Sequence, residues 1–272
     1  MSTLTCTLIQ TALHWEDKAA NLRMFDDKIN SITERTEVII LPEMFNTGFS
    51  MRPVQFAEKM TGETVQWMKQ VSKEKNVILT GSLMVEENGN YYNRLIWMLP
   101  NGTMGKYDKR HLFAYANEHE HYTAGNRRLI ASVKGWKINL NICYDLRFPV
   151  WSRQGRREKD EKTMEYDMLV YVANWPERRS HGWKTLLQAR AIENQSFCIG
   201  VNRVGNDGKD IYHSGDSMVI NPLGEVLYTK SHDEDIFTIT LQKAEVESIR
   251  EKMPFWKDAD PFMIIHDEGQ EQ

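Results

Sequence analysis

Apolar and polar residues alternate along several stretches of the chain, and this alternation predicts β-strands. Residues 3–9 and 136–142 carry an apolar side chain at every second position. Two continuous apolar runs, residues 38–41 and 168–173, predict strands that are covered on both faces. Further strands are predicted over residues 77–85, 95–99, 197–201, 217–220 and 236–241.

Other stretches repeat their apolar residues at spacings of three and four, which predicts helices. These stretches are residues 15–32, 64–75, 181–193 and 244–252. Residues 150–162 are predicted as a charged helix with a mostly solvated surface, and residues 105–113 follow no clear period. Strands linked both by helices and by turns predict a mixed sheet with helices outside, or two packed sheets flanked by helices. No repeat or linker interrupts the chain, so residues 1–254 are predicted as one domain and residues 255–272 as a tail.

The composition is that of a water-soluble globular protein. The 272 residues are 41% hydrophobic and 26% charged, which leaves ample material for a core. The net charge of −4 requires no basic surface, so nucleic acid is not an expected partner. The first ten residues lack a basic stretch followed by an apolar one, so no signal peptide is expected. No apolar run approaches the length of a membrane span, so no membrane partner is expected either.

The three cysteines, Cys6, Cys143 and Cys198, have neither a metal-binding nor a disulfide spacing. Cys6 and Cys198 lie in predicted strands and are expected to be inert core thiols. A chain with this cysteine usage is expected in the reducing cytoplasm.

Cys143 stands where a predicted strand ends and the turn CYDLRFP begins. A thiol at this place can project above the edge of a sheet, where open α/β sheets hold their reacting groups. The alternative is that Cys143 is a small buried hydrophobic residue, as most isolated cysteines are.

Acyl transfer by a thiol also needs a proton acceptor and a group that stabilises an oxyanion. Glu43 follows a buried strand and Pro42, where partial desolvation would make a carboxylate a better base, although it could also be a helix cap or a surface charge. Lys109 lies in a polar segment and, taken alone, is compatible with a solvated lysine.

Three motifs together resemble those of the nitrilase superfamily, the carbon–nitrogen hydrolases. They are LPEMF around Glu43, YDKRHLF around Lys109 and CYDLRFP from Cys143, in the order that this family has. The resemblance runs from about Leu4 to the last predicted strand. It implies a four-layer α-β-β-α sandwich of two mixed sheets, no cofactor, and a homodimer that forms through helices near the nucleophile turn.

Three more motifs, YVANWP, ARAIENQ and NRVG, resemble the omega-amidase branch of this family, especially its bacterial members. This resemblance implies hydrolysis of the distal amide of alpha-ketoglutaramate or alpha-ketosuccinamate through a cysteine thioester. Two alternatives remain at this point. The substrate could be a nitrile, an N-carbamoyl amine or another amide, or the chain could be a catalytically silent binding domain that kept the fold.

The resemblance also assigns roles to individual residues. It implies that Cys143 is the nucleophile, Glu43 the general base and Lys109 the oxyanion stabiliser, with the backbone N–H of Tyr144 as a second possible donor. A further glutamate precedes a glycine in the family. Glu118 fits that position better than Glu120, and its expected role is to hold Lys109 and orient the leaving amine.

Five residues are candidates for contact with the substrate, and one of them is Tyr144, next to the proposed nucleophile. Arg147 is either a bidentate clamp for a substrate carboxylate or the partner of a loop carboxylate in an internal salt bridge. Trp175 and Phe45 follow predicted strand ends and either form walls of the pocket or pack in the core. Asn174, in the YVANWP motif, is placed with the substrate-binding residues.

The sequence EHEH at residues 118–121 invites a metal-site interpretation. It lacks the His-Glu-x-x-His order of a zinc helix, and alternating histidines would need a rigid strand. A solvated lip of the active site explains it better, so no metal is expected.

Overall fold

The computed structural model describes residues 2–154 and 164–265, and the fold is given for these residues. The strands are β1 (Thr3–Gln10), β2 (Val38–Ile40), β3 (Ile78–Glu87), β4 (Asn90–Met98), β5 (Met104–Asp108), β6 (Leu129–Val133), β7 (Trp136–Ile142), β8 (Met168–Val172), β9 (Phe197–Val201), β10 (Val204–Asn206), β11 (Tyr212–Ile220), β12 (Val226–Ser231) and β13 (Asp235–Gln242). The helices are α1 (Lys18–Asn30), α2 (Pro53–Phe56), α3 (Glu63–Lys75), α4 (Glu118–His121), α5 (Pro149–Ser152), α6 (Ser180–Asn194) and α7 (Lys243–Lys252).

These strands form two mixed sheets. The first has the order β13-β1-β2-β3-β4-β5, and the second has the order β10-β11-β9-β8-β7-β6, with β12 paired to β11. Each sheet has a parallel centre, made by β1, β2 and β3 in the first and by β7, β8 and β9 in the second. Antiparallel strands flank both centres. The carboxyl ends of the parallel strands therefore gather at one edge of each sheet, where an α/β protein places its chemistry.

The two sheets pack face to face, and helices cover their outer faces. Side chains of both sheets, including Leu8, Ile40, Leu140 and Val170, share one buried cluster between them. On the outer face of the first sheet, α1 and α3 pack against residues of β1 to β4. On the outer face of the second sheet, α6 packs against β8, β9 and β11. The result is the four-layer α-β-β-α sandwich that the resemblance implied.

Most predicted elements are present, and the differences have local causes. Helix α1 begins at Lys18 rather than Trp15 because Asp17 caps it, accepting a hydrogen bond from the Ala20 N–H at 2.9 Å. The prediction missed β5, β6, β10 and β12. Strand β5 lies at the edge of its sheet, where only one side is paired, so its sequence MGKYD shows little alternation.

The charged helix predicted over residues 150–162 is present at its start but does not continue through residues 153–154. Helix α5 ends at Ser152, and the chain is already extended at Arg153. Residues 155–163 lie outside the described part of the chain. The boundary predicted between a domain at residues 1–254 and a tail at residues 255–272 stays a prediction. Within residues 2–154 and 164–265, no helix combines the length and the apolar character that a membrane crossing requires.

Candidate active site

Three strand ends meet at the edge shared by the two sheets. Glu43 follows β2, Cys143 follows β7 directly, and Asn174 follows β8. The backbone N–H of Asn174 donates to Glu43 Oε2 at 2.8 Å, and its side-chain amide donates to the Glu43 carbonyl. These two bonds tie the first sheet to the second and fix the orientation of the Glu43 carboxylate.

Lys109 lies between two carboxylates that have no access to solvent. Its Nζ is 2.8 Å from Glu43 Oε1, and it is 3.0 and 2.9 Å from the two oxygens of Glu118. The side chains of all three residues are fully buried. Asn93 joins the two carboxylates, because its Nδ2 is 2.8 Å from Glu43 Oε1 and 3.3 Å from Glu118 Oε1. The Phe113 N–H adds a 2.6 Å bond to Glu118.

The charges in this cluster set the protonation of its members. Burial alone would lower the pKa of Lys109, but the charges of Glu118 and Glu43 outweigh it and raise that pKa above its ordinary value. Lys109 is therefore a permanent cation. Burial raises the pKa of Glu118, with a contribution from the Glu43 charge, while Lys109 opposes the shift. Two carboxylates and one ammonium carry a net negative charge. This charge favours the uptake of a proton by one of the carboxylates during a reaction.

Cys143 adopts a strained backbone conformation at the end of β7. Its φ of 43° lies in the left-handed region, which is costly for a residue with a Cβ and recurs at functional sites. A 3₁₀ turn, Cys143–Arg147, begins at this residue. Its side chain lies close enough to Glu43 and Lys109 for both charges to act on the pKa of the thiol. The nucleophile candidate and the base candidate are thus neighbours in one site.

The charges around Cys143 act on its thiol in opposite directions. Burial, together with the charge of Glu43, holds the pKa of Cys143 well above its ordinary value, and the opposing effect of Lys109 is smaller. The resting thiol is therefore neutral. A neutral thiol becomes a nucleophile only when a base takes its proton, and that is general-base rather than pre-ionised catalysis.

Asp145 fixes the nucleophile turn to the loop that carries Lys109. One carboxylate oxygen accepts from the Tyr107 hydroxyl at 2.7 Å and from the Ile142 N–H at 3.0 Å. The other accepts from the backbone N–H of His111 at 3.0 Å and lies 2.8 Å from its Nδ1. The ring of His111 stacks on Phe148 with the centroids 3.8 Å apart. Asp145 therefore holds the positions of Cys143 and Lys109 relative to each other.

A cavity of about 230 Å³ opens onto this cluster. Cys143, Lys109 and Asn174 form its floor, and the aromatic residues Phe49, Phe113, Tyr115, Tyr144 and Trp175 contribute to its walls. Phe49 also lies under Lys109, with the Nζ 5.0 Å from the ring centroid. The size of the cavity suits a small molecule that carries one reactive group.

Several of the candidates for substrate contact do line this cavity: Tyr144, Arg147, Asn174 and Trp175. The Arg147 guanidinium lies over the Trp175 ring, 4.8 Å from its centroid, and packs beside Gly182. Within the described ranges, no carboxylate forms an ion pair with Arg147. The internal salt bridge considered for this residue is thus not formed with any described residue.

Of the two interpretations of Phe45, the pocket wall is wrong and the core position is right. It is fully buried, and it packs against Phe25 and Trp67 at centroid distances of 5.5 and 5.8 Å. It belongs to the core beneath the first sheet, in the buried cluster that α1 and α3 form with β1 to β4. Phe49, four residues later, takes the wall position instead.

The two glutamates at residues 118 and 120 have opposite environments. Glu118 is buried against Lys109, whereas Glu120 is exposed on the short helix α4, as are His119 and His121. In the described part of the chain, no three His, Cys, Asp or Glu side chains are grouped as metal ligands would be. EHEH is thus one buried carboxylate followed by solvated residues.

Sequence reasoning missed two polar residues that build the site, Asn93 and Asp145. Asn93 lies within strand β4, and nothing in its neighbourhood signals that its side chain reaches two distant carboxylates. Asp145 was within the recognised CYDLRFP motif, but its partners come from β5 and the loop after it, which the pattern did not resolve.

Comparisons with known proteins agree with this architecture. The carbon–nitrogen hydrolase family model matches residues 5–251. The omega-amidase YafV of Escherichia coli K12 is 44% identical over 265 residues, which cover 97% of this chain and 100% of the relative. The 2-oxoglutaramate amidase of Bacillus subtilis is 31% identical over 93% of this chain and 96% of the relative. The structure of XC1258 from Xanthomonas campestris, a CN-hydrolase superfamily protein with an arsenic adduct in the active site, aligns with a TM-score of 0.94 and 39% identity, over 97% of this chain and 100% of that one.

Proposed function

The chain belongs to the carbon–nitrogen hydrolase family, and we propose that it is an omega-amidase, an enzyme that releases ammonia from the distal amide of small 2-oxo acid amides. The observation that carries this proposal is that Cys143 and the buried Lys109, which is paired with Glu43 at 2.8 Å, line one small cavity with a cationic rim. The names of the Escherichia coli and Bacillus subtilis relatives support the same substrate class.

In the first half of the proposed reaction, the Cys143 sulfur attacks the carbon of the substrate amide while Glu43 takes the thiol proton. The carbonyl oxygen becomes an oxyanion, and the fixed positive charge of Lys109 stabilises it. When the tetrahedral intermediate collapses, the C–N bond breaks and the proton held by Glu43 goes to the leaving nitrogen. Ammonia leaves, and the acyl group stays on Cys143 as a thioester.

Water completes the cycle. Glu43 accepts a proton from a water molecule as the water attacks the thioester, and when the C–S bond breaks this proton passes to the sulfur and restores the thiol. The products are the 2-oxo dicarboxylic acid and ammonia. The new carboxylate forms beside Glu43 and Glu118, which carry one negative charge more than Lys109 neutralises, and this repulsion favours product release.

The role proposed for Glu118 is to hold Lys109 in place and to orient the leaving amine. Its two oxygens both contact the Lys109 Nζ, and the Phe113 N–H fixes one of them. The role proposed for Arg147 is to bind the free carboxylate at the other end of the substrate. It lines the cavity together with Cys143, and a guanidinium suits a carboxylate geometrically.

An ammonia-release panel tests the proposal. It compares alpha-ketoglutaramate, alpha-ketosuccinamate, glutamine, asparagine, an N-carbamoyl amine and simple nitriles on the purified protein. The proposal expects the highest kcat/KM for the two 2-oxo acid amides. A clear preference for a nitrile or an N-carbamoyl amine would mean that the protein catalyses another reaction of this family. No turnover of any compound would favour a catalytically silent binding domain.

We further propose that the enzyme works as a homodimer in the cytoplasm. Val150 on α5, directly after the nucleophile turn, is 55% exposed, which supports an interface at the place the family resemblance implies. All three cysteines are free thiols, which supports a reducing compartment. Light scattering of the wild type and of Val150→Asp tests the dimer, because a charge at a buried interface should release monomers.

A further inference from the structure

The rim of the active-site cavity is positively charged, although the whole chain carries a net charge of −4. Outside the Lys109 cluster, four cationic side chains and one carboxylate line the cavity: Arg147, Arg178, Arg179, Lys209 and Asp207. Within residues 2–154 and 164–265, none of the three arginines has a carboxylate partner. Four cations beside one carboxylate leave a net positive charge, and an anion that binds here relieves their mutual repulsion.

Arg179 differs from the other two arginines in its burial. Its side chain is half-buried, whereas Arg147 and Arg178 are exposed. Its guanidinium lies over the face of Phe113, with the Cζ 5.0 Å from the ring centroid. Phe113 also donates its N–H to Glu118, so a single residue supports both Arg179 and the buried cluster.

The backbone of Arg179 is held rigidly while its guanidinium faces the cavity. The Arg179 carbonyl accepts from the indole N–H of Trp175 at 2.8 Å, and its N–H donates to the Pro176 carbonyl at 3.0 Å. Trp175 in turn supports Arg147 through its ring. The two guanidinium groups are therefore positioned by neighbouring parts of one aromatic wall.

The surroundings of Arg179 disfavour its positive charge as long as no anion is bound beside it. Burial lowers its pKa, and the charges of Arg178 and Arg147 lower it further, while Cys143 acts in the opposite direction. Arg179 is thus close enough to sense both the other arginines and the nucleophile. An anion bound at this place would remove the repulsion.

We propose that Arg179 is a specificity-determining residue, which binds the free carboxylate of the substrate beside Arg147 while Cys143 reaches the distal amide. A carboxylate has enough lone pairs to accept from two guanidinium groups at once. Of the two, Arg179 makes the more desolvated and therefore the stronger contact. This inference rests on the proposed amidase function and adds the residue that selects amides bearing a carboxylate.

The test compares kcat and KM of Arg179→Gln and Arg179→Lys with those of the wild type. The substrates are alpha-ketoglutaramate and butyramide, a neutral amide without the carboxylate. Arg178→Gln is the matched control, since it removes the same charge from the same turn at an exposed position. Each assay is run at low salt and in about 1 M NaCl, where charges separated by more than about 3 Å are largely screened.

Arg179→Gln should raise KM for alpha-ketoglutaramate about tenfold to a hundredfold, the scale of a lost hydrogen bond between charged groups. The loss should persist in high salt, and the kcat/KM for butyramide should change by less than about twofold. Arg179→Lys should be intermediate because it keeps the charge without the fork. Arg178→Gln should give a smaller loss that disappears in high salt, as expected for long-range attraction.

Binding measured without turnover gives an independent readout. In a Cys143→Ala background, calorimetry with alpha-ketoglutaramate should show the same weakening when Arg179→Gln is added. The inference is overturned if Arg179→Gln impairs both amides equally, or if its effect vanishes in high salt like that of Arg178→Gln. If the wild type itself releases no ammonia from carboxylate-bearing amides, the proposed function has failed, and the inference falls with it.

Discussion

Lys109 and Glu118 are joined by two hydrogen bonds, of 3.0 and 2.9 Å, in a place that water does not reach. A buried ion pair of this kind is expensive to assemble, and it is strongly destabilising to break from one side. Glu43 competes for the same ammonium from the other side at 2.8 Å. The Lys109 ammonium is thus held between two carboxylates, and a change in either one should alter its position and charge balance.

Glu118→Gln should reduce kcat by about tenfold or more, because the loss of one carboxylate lets Lys109 move from the position where it stabilises the oxyanion. Gln keeps the shape of the side chain, so the fold should survive. Glu120→Gln is the matched control, as Glu120 is exposed two residues away and should leave kcat unchanged. Steady-state assays of both variants decide this, and equal activity in the two would remove Glu118 from the proposed machinery.

Cys143→Ala should abolish ammonia release while the fold stays intact, since the thiol forms the covalent intermediate. Mass spectrometry of the wild type during turnover should find an acyl adduct on the peptide that contains Cys143. Cys198→Ala is the control, because it removes a buried core thiol that does not line the cavity and should keep the activity. Normal turnover by Cys143→Ala would refute the whole mechanism.

Lys109→Arg should lower kcat by about two or more orders of magnitude, the cost of removing one oxyanion donor. The charge is preserved, but a planar guanidinium cannot occupy the compact space between Glu43 and Glu118 in the same way. Lys106→Arg, on the exposed part of β5, serves as the control. Near-normal kcat in Lys109→Arg would mean that the position needs only a positive charge.

Arg147→Ala should reduce kcat/KM for alpha-ketoglutaramate much more than for butyramide, because only the former has a carboxylate to lose. Arg147→Lys should be intermediate, as it keeps the charge and loses the fork. The measurement is kcat/KM for both amides together with the melting temperature. An equal loss for the two substrates, with a lower melting temperature, would assign Arg147 a structural role instead.

The pH dependence should reflect a neutral nucleophile. A free thiol ionises near pH 8.5, and burial with the Glu43 charge shifts the ionisation of Cys143 to higher pH. The thiolate ultraviolet absorbance of the wild type minus that of Cys143→Ala should therefore stay near zero up to at least about pH 8.5. The kcat/KM should not rise across that range as thiol ionisation would require. A thiolate signal already present near neutral pH would contradict the general-base role of Glu43.

The sequence by itself determined the central strands and the chemistry at their ends. Strands β2, β7 and β8 are continuous or alternating apolar segments, and all three are buried in the structure. Their local apolar pattern was therefore sufficient to predict them. The motifs that follow β2 and β7 carry Glu43 and Cys143, and their resemblance to the carbon–nitrogen hydrolases also implied the layered fold. Edge strands such as β5 were not predicted, because a strand that is paired on one side only has a weak apolar alternation.

Only the tertiary structure decided which polar residues share the site. The resemblance favoured Glu118 over Glu120 by position alone, and the structure shows the physical difference: Glu118 is buried against Lys109 and Glu120 is solvated. The tertiary structure likewise decided that Phe45 lies in the core. It also decided that Arg179, at the end of a 3₁₀ turn, lines the cavity. The reason is physical: burial and charge pairing depend on contacts between segments far apart in the chain, and these contacts have no period that a sequence can display.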